Sequence, residues 1–123
     1  MRVFLFAGAL NAFLAVAFGA FAAHGLADRL DETMLGIFKT GAEYQLTHAL
    51  ALIAVALLTN IWPQEKLLNI SGWAFVVGTL LFSFSLYALA LTGIGVLGMV
   101  TPIGGIALLI GWLSLTIFAI SRK

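Results

Sequence analysis

The sequence predicts an all-α membrane protein: four transmembrane helices in a compact bundle, plus a short amphipathic interfacial helix between helices 1 and 2. Three observations predict it. The 123 residues are 63% apolar and only 9% charged, whereas roughly a quarter of a soluble domain is charged. The mean hydropathy is +1.14. The few charges fall in short breaks between four apolar runs, each near the ~20 residues a helix needs to cross a hydrocarbon core. A soluble enzyme is excluded. So is a nucleic-acid binder, since the net charge is +1 with no basic run. The chain has no cysteine, which removes iron–sulfur ligation, thiolate zinc sites, thiol redox chemistry and a disulfide-stapled module.

The first span covers about residues 3–23 and holds no charge. Small residues before His24 give it some likeness to a signal peptide. Its apolar run is longer than a signal core and Arg2 is its one basic flank, so we read it as a span. Residues 28–39 follow, with Asp28, Arg29, Asp31 and Glu32 ahead of an apolar set of Leu30, Met34, Leu35, Ile37 and Phe38. Early acids and a late Lys39 suit a helix dipole, and the one-sided apolar spacing predicts a helix lying at the interface. The alternative for this stretch is a solvated loop.

The second span is placed at 42–62. Thr40-Gly41-Ala42-Glu43 fits the S/T-x-x-E capping box, which predicts a helix start at Gly41, and Pro63 should end that helix. The third span covers 69–91, and Gly93, Gly95 and Gly98 make a tight loop after it. Thr101-Pro102 reads as an N-cap with proline at N1, opening the fourth span at 102–120. The four spans make one integral domain, 1–123.

Four spans put both termini on one side. Arg2, Lys66, Arg122 and Lys123 lie on that side, against Arg29 and Lys39 on the other, which predicts cytoplasmic termini in a bacterial inner (plasma) membrane. Trp62 and Trp73 then belong at the inner interface, Tyr44 and Tyr87 near the outer one.

Polar residues within spans are where function is sought first. Here no Asp, Glu, Lys or Arg enters an apolar core. A proton-coupled exporter needs a buried carboxylate and a charge-selective channel needs charged rings, so neither is supported. The best cluster is at the outer ends of helices 1 and 2: His24 closes the first, and Glu43, Tyr44 and His48 open the second. Tyr44 and His48 share a face, with Glu43 one position round and Tyr87 at a similar depth. These five residues form the candidate ligand-binding site, for a headgroup, a quinone or a small solute. The alternative is that they satisfy one another and the loop backbone. A bis-histidine haem through His24 and His48 has two histidines as its whole support; no cofactor and no metal is assigned. Thr79, Ser83 and Tyr87, four apart on the third span, line a polar path, bond Asn11, or bond their own preceding carbonyls.

Small residues at Gly8, Ala12, Ala15, Gly19 and Ala23 of the first span, and Gly104, Gly105, Gly111 and Ser114 of the fourth, mark helix-packing faces. Such faces let backbones approach closely, within the bundle or in a homo-oligomer.

The stretches Gly19-Ala20-Phe21-Ala22-Ala23-His24-Gly25-Leu26 and Tyr44-Gln45-Leu46-Thr47-His48-Ala49-Leu50-Ala51 resemble the YgdD/YwdK-like family of small uncharacterised four-span membrane proteins. The likeness continues through residues 72–87 and 101–105, and so covers nearly the whole chain. It implies a four-span inner-membrane protein and carries no catalytic activity or active-site residue with it.

The leading expectation is a non-enzymatic scaffold or accessory protein that binds membrane lipid or a membrane-protein partner. The alternative is a small transporter or channel for an uncharged or weakly charged solute, using the outward His/Glu/Tyr site. An intramembrane enzyme pairing Glu43 with His48 lacks a nucleophile or metal set to accompany it.

Overall fold

The structure, a computed structural model, describes residues 2–122; Lys123, counted above among the positive charges, lies outside them. Helix α1 (Arg2–Phe21) runs directly into a π-helical turn (Ala22–Leu26). Helices α2 (Glu32–Ile61), α3 (Lys66–Thr92) and α4 (Thr101–Ser121) follow, with a 3₁₀ turn (Gly95–Met99) ahead of α4. All four helices are long and apolar enough to cross a membrane.

The separate interfacial helix is corrected by the structure. Residues 32–39 are the first turns of α2, which continues unbroken for 30 residues, about 45 Å at 1.5 Å per residue. The true cap is Asp31, whose carboxylate accepts the Met34 N–H at 2.8 Å. With the start fixed there, nothing at 40–43 interrupts the helix. The Thr40 hydroxyl donates back to the Gly36 carbonyl at 2.9 Å, as a mid-helix threonine does. The apolar set of this stretch turns inward: Phe38 is buried, and Leu30, Leu35 and Ile37 pack beside it against Ala22, Leu26, Tyr87 and Ala90.

The other boundaries have local causes. The chain leaves α2 at Trp62, ahead of Pro63, with the Trp62 N–H bonded to the Leu58 carbonyl. Helix α3 ends on Gly93 at φ 71°, a left-handed cap that glycine adopts without a Cβ penalty. Thr101 is not a cap, since Val100 holds that position. The Thr101 hydroxyl instead meets the Ser85 hydroxyl at 2.6 Å and ties α4 to α3.

The extensive helix contacts run between neighbours in sequence: α1 with α2, α2 with α3, α3 with α4. A glycine sits at each. A Cβ at Gly8 would lie 2.8 Å from the Ala49 carbonyl oxygen on α2, and one at Gly41 would lie 3.1 Å from the Ser83 carbonyl oxygen on α3. At Gly104 it would lie 2.9 Å from the Gly78 carbonyl oxygen and closer still to the Phe82 nitrogen. Lipid tails are as apolar as leucine, so helix association rests on this closeness of packing. In the half of the bundle nearer the termini, Phe4, Leu52, Val55, Phe75 and Leu108 form the core. There Arg122 pairs with Glu65 and lies over the rings of Trp62 and Phe118.

The predicted packing faces are narrower than expected. Gly8, Gly104 and Gly111 stand against neighbouring helices, Ala15 is buried and Ala12 is half-buried. Gly19 faces open space and Ala23 is exposed, because α1 leans on α2 along the Gly8 face.

Gly104→Ala should therefore destabilise the protein by about 1–3 kcal/mol, because it forces backbone apart. Gly19→Ala should be neutral or stabilising by up to about 1 kcal/mol, through helix propensity alone. Thermal unfolding of both variants in detergent measures the contrast.

Candidate functional site

The five residues expected at one outer pocket do not meet. His24 is exposed in the π-helical turn and Glu43 is exposed on α2. Neither takes part in a side-chain hydrogen bond or ion pair among the described residues. Tyr87 is an interior residue, 5% exposed, and not an interfacial anchor. Tyr44 and His48 do share a face, and it is turned toward α4.

Two polar assemblies result, and both are built on α2. The first ties α1, α2 and α3 together. The Tyr87 hydroxyl donates to Gln45 Oε1 at 2.6 Å, Gln45 Nε2 donates to Asn11 Oδ1 at 2.9 Å, and Asn11 Nδ2 donates to the Ala7 carbonyl at 2.8 Å. The chain runs in one donor direction and ends on a helix carbonyl, so each link is used. Its surroundings are aromatic, with the rings of Phe18 and Phe38 both 4.8 Å from that of Tyr87. Of the stripe on α3, only Tyr87 joins this chain. The Thr79 and Ser83 hydroxyls are buried and bond neither Asn11 nor a carbonyl.

The second assembly joins α2 to α4. Trp112 Nε1 donates to His48 Nε2 at 2.9 Å, and His48 Nδ1 lies 2.7 Å from the Tyr44 carbonyl. An indole N–H can only donate. His48 Nε2 is therefore the acceptor, and the proton of the neutral ring sits on Nδ1, donating to its own helix. Phe75 closes the assembly from α3, with its ring 5.5 Å from that of His48 and 4.9 Å from that of Trp112.

Beside these rings lies a cleft of ≈ 410 Å³. It exists because α4 is drawn to α3 at Gly104 and Gly78 rather than to α2. Tyr44, His48, Phe82 and Trp112 form its aromatic wall, and Pro102, Gly105, Ile106, Leu108 and Leu109 its aliphatic side. Ile106 and Leu109 are exposed on the outer surface of the bundle, so the cleft opens where hydrocarbon would lie. No charged residue lines it. Among the described residues there is no group of three or more His, Cys, Asp or Glu that could hold a metal.

Sequence reasoning missed Gln45 as a site residue and Trp112 altogether. A signal for Gln45 was present, since Asn11 in a span requires a polar partner and Gln45 is an amide near the start of the next span. Trp112 had no such signal: its indole counts as apolar in any periodicity.

These features define a four-span helical membrane protein with a buried polar chain in its interior and a lateral apolar cleft. The chain belongs to the family described as "Protein of unknown function (DUF423)", which matches residues 18–105. It is 42% identical over 120 residues to the UPF0382 membrane protein YwdK of Bacillus subtilis, covering 98% of each chain. It is 44% identical over 117 residues to a UPF0382 membrane protein of Staphylococcus epidermidis, covering 95% of this chain and 94% of that one. To a UPF0382 membrane protein of Haemophilus influenzae it is 46% identical over 115 residues, 94% of this chain and 91% of that one. No solved structure matches it.

Two measurements check the assemblies. Tyr87→Phe should cost about 1 kcal/mol, the usual worth of an interhelical hydrogen bond in a membrane. Gln45→Leu should cost more, about 1–3 kcal/mol, because it strands both Asn11 and Tyr87; denaturant unfolding in mixed micelles ranks the two. Solid-state nitrogen NMR of the histidine-labelled protein in bilayers should find His48 protonated on Nδ1 in the wild type. Trp112→Phe should shift the Nε2 resonance, since that atom loses its donor.

Proposed function

We propose that this chain is a non-enzymatic integral protein of the bacterial inner membrane, an accessory or scaffold subunit whose α2/α4 cleft holds a membrane lipid. The cleft carries the reading. It is apolar, opens laterally at the depth of the spans, and is lined by no charge. An unfilled cleft of this kind would forfeit its packing contacts, and in a bilayer the molecules at its mouth are lipids. From Pro102 to Trp112 the cleft follows eleven residues of α4, about 15 Å of helix and half the thickness of a hydrocarbon core. That suits a molecule drawn from one leaflet.

Against acid–base work by the cleft's histidine stands its hydrogen bonding, which already engages both ring nitrogens. Against solute transport stands the interior, where the Asn11–Gln45–Tyr87 chain is closed and set among aromatic rings. Termini in the cytoplasm are supported by Arg2, Lys66, Arg122 and Lys123, against Arg29 and Lys39.

Gly105→Leu is the test. A Cβ at Gly105 makes only an ordinary 3.8 Å contact with the Phe82 ring, so a larger side chain fills the cleft while the helix gains propensity. Native mass spectra of the wild type released gently from membranes should show a lipid adduct. Gly105→Leu should be folded and bare. A bare wild-type chain, or an adduct kept equally by the variant, overturns the reading.

A further inference from the structure

Resting on the lipid-binding reading of the cleft, we propose that its occupant is an uncharged lipid alcohol, whose hydroxyl inserts between the Trp112 indole and His48. The argument is one of donors and acceptors. His48 Nδ1–H is held by the carbonyl of Tyr44 in its own helix, so the ring offers the cleft a single group, the Nε2 lone pair. Trp112 offers a single group as well, the Nε1 proton. At present these two satisfy each other across 2.9 Å.

A guest that separates them must replace both halves of that bond, or it leaves a polar group without a partner in an apolar setting. A ketone, ester or ether oxygen accepts from Trp112 but brings nothing to Nε2. An ammonium group donates to Nε2 but brings nothing to the indole. A hydroxyl does both: it accepts from Trp112 Nε1 and donates to His48 Nε2, so the two-member bond becomes a three-member relay. Trp112 has room to give way, being 40% exposed at the outer edge of the cleft, where its rings can slide against hydrocarbon.

Charge narrows the class further. His48 lies five residues beyond Glu43 along α2, about 7 Å deeper in the span. No charged side chain lines the cleft, so a phosphate or ammonium headgroup carried to that depth would meet no counter-ion. A lipid whose polar end is a bare hydroxyl meets no such barrier. That chemistry has two sources, a glycerolipid without a phosphate and a simple long-chain alcohol.

The full-length protein in liposomes is exposed to two matched pairs of diazirine-tailed probes. One pair is a diacylglycerol and its O-methyl ether; the other is a long-chain alcohol and its O-methyl ether. The free alcohol of at least one pair should label peptides containing Tyr44–His48 or Pro102–Trp112 about 3- to 10-fold more than its capped twin, the worth of one net hydrogen bond. The pair that discriminates identifies the source. In His48→Phe, alcohol labelling should fall to the ether level while ether labelling holds. Equal labelling by alcohol and ether in the wild type overturns the hydroxyl preference and leaves the lipid cleft standing. Labelling by no probe, or labelling that Gly105→Leu does not reduce, overturns the cleft itself.

Discussion

Inside a hydrocarbon core there is no water to satisfy a stray polar group, so an amide, imidazole or indole placed there is costly unless it finds a partner in the protein. Much of this bundle follows from that constraint. Asn11 on α1 is answered by Gln45 on α2, and Gln45 by Tyr87 on α3. Trp112 on α4 is answered by His48 on α2. Two sets of contacts on one helix thus fix which faces of the other three turn inward. A rotation of α1 or α4 about its own axis by a third of a turn would leave Asn11 or Trp112 facing lipid with its bond unmade.

The bonds select faces; the glycines set distances. Gly8, Gly41, Gly78 and Gly104 allow backbone to meet backbone or side chain where any Cβ would intrude. Their placement is uneven. Helix α4 carries its close approach at Gly104 and Gly78, on the α3 side, and Ser71 adds a hydrogen bond to the Gly111 carbonyl there. Toward α2, α4 presents Trp112 and Phe118, large rings that hold the helices apart. A glycine seam on one side of α4 and an aromatic spacer on the other together produce the lateral cleft. The cleft is therefore a consequence of how α4 is seated.

How much of this the sequence discloses depends on which signal a residue carries. The four spans are legible because hydropathy over twenty residues is a long, redundant signal. The turn after α2 is legible from Pro63, and that after α3 from Gly93. The start of α2 is not, because two capping patterns compete: Asp31 ahead of Glu32, and Thr40 ahead of Glu43. Only the packing of Phe38, Leu35 and Ile37 into the bundle decides between them, and that is a tertiary fact. Tyr44 and His48 are correctly paired by helical spacing. His24, Glu43 and Tyr87 are not their neighbours, since equal depth in a membrane says nothing about which side of a bundle a residue faces. The same limit explains Gly19, which has the spacing of a packing glycine and no helix opposite it.

The division of labour along α2 bears on how the protein can change. Gln45 and His48 are one helical turn apart, yet they serve different assemblies, one sealed in the interior and one open to the side. The interior chain is continuous: from Tyr87 to the Ala7 carbonyl each link has its partner, and it is set among aromatic rings. The His48–Trp112 bond is matched too, but one partner sits at the edge of a cleft with hydrocarbon beside it. Opening the first assembly would strand groups on three helices. Opening the second displaces one indole, and a guest with the right chemistry restores both halves of the bond. If this bundle has a movable polar contact, the cost of stranded groups places it at Trp112, and the recognition chemistry of the cleft is then set by what can stand between an indole proton and an imidazole lone pair.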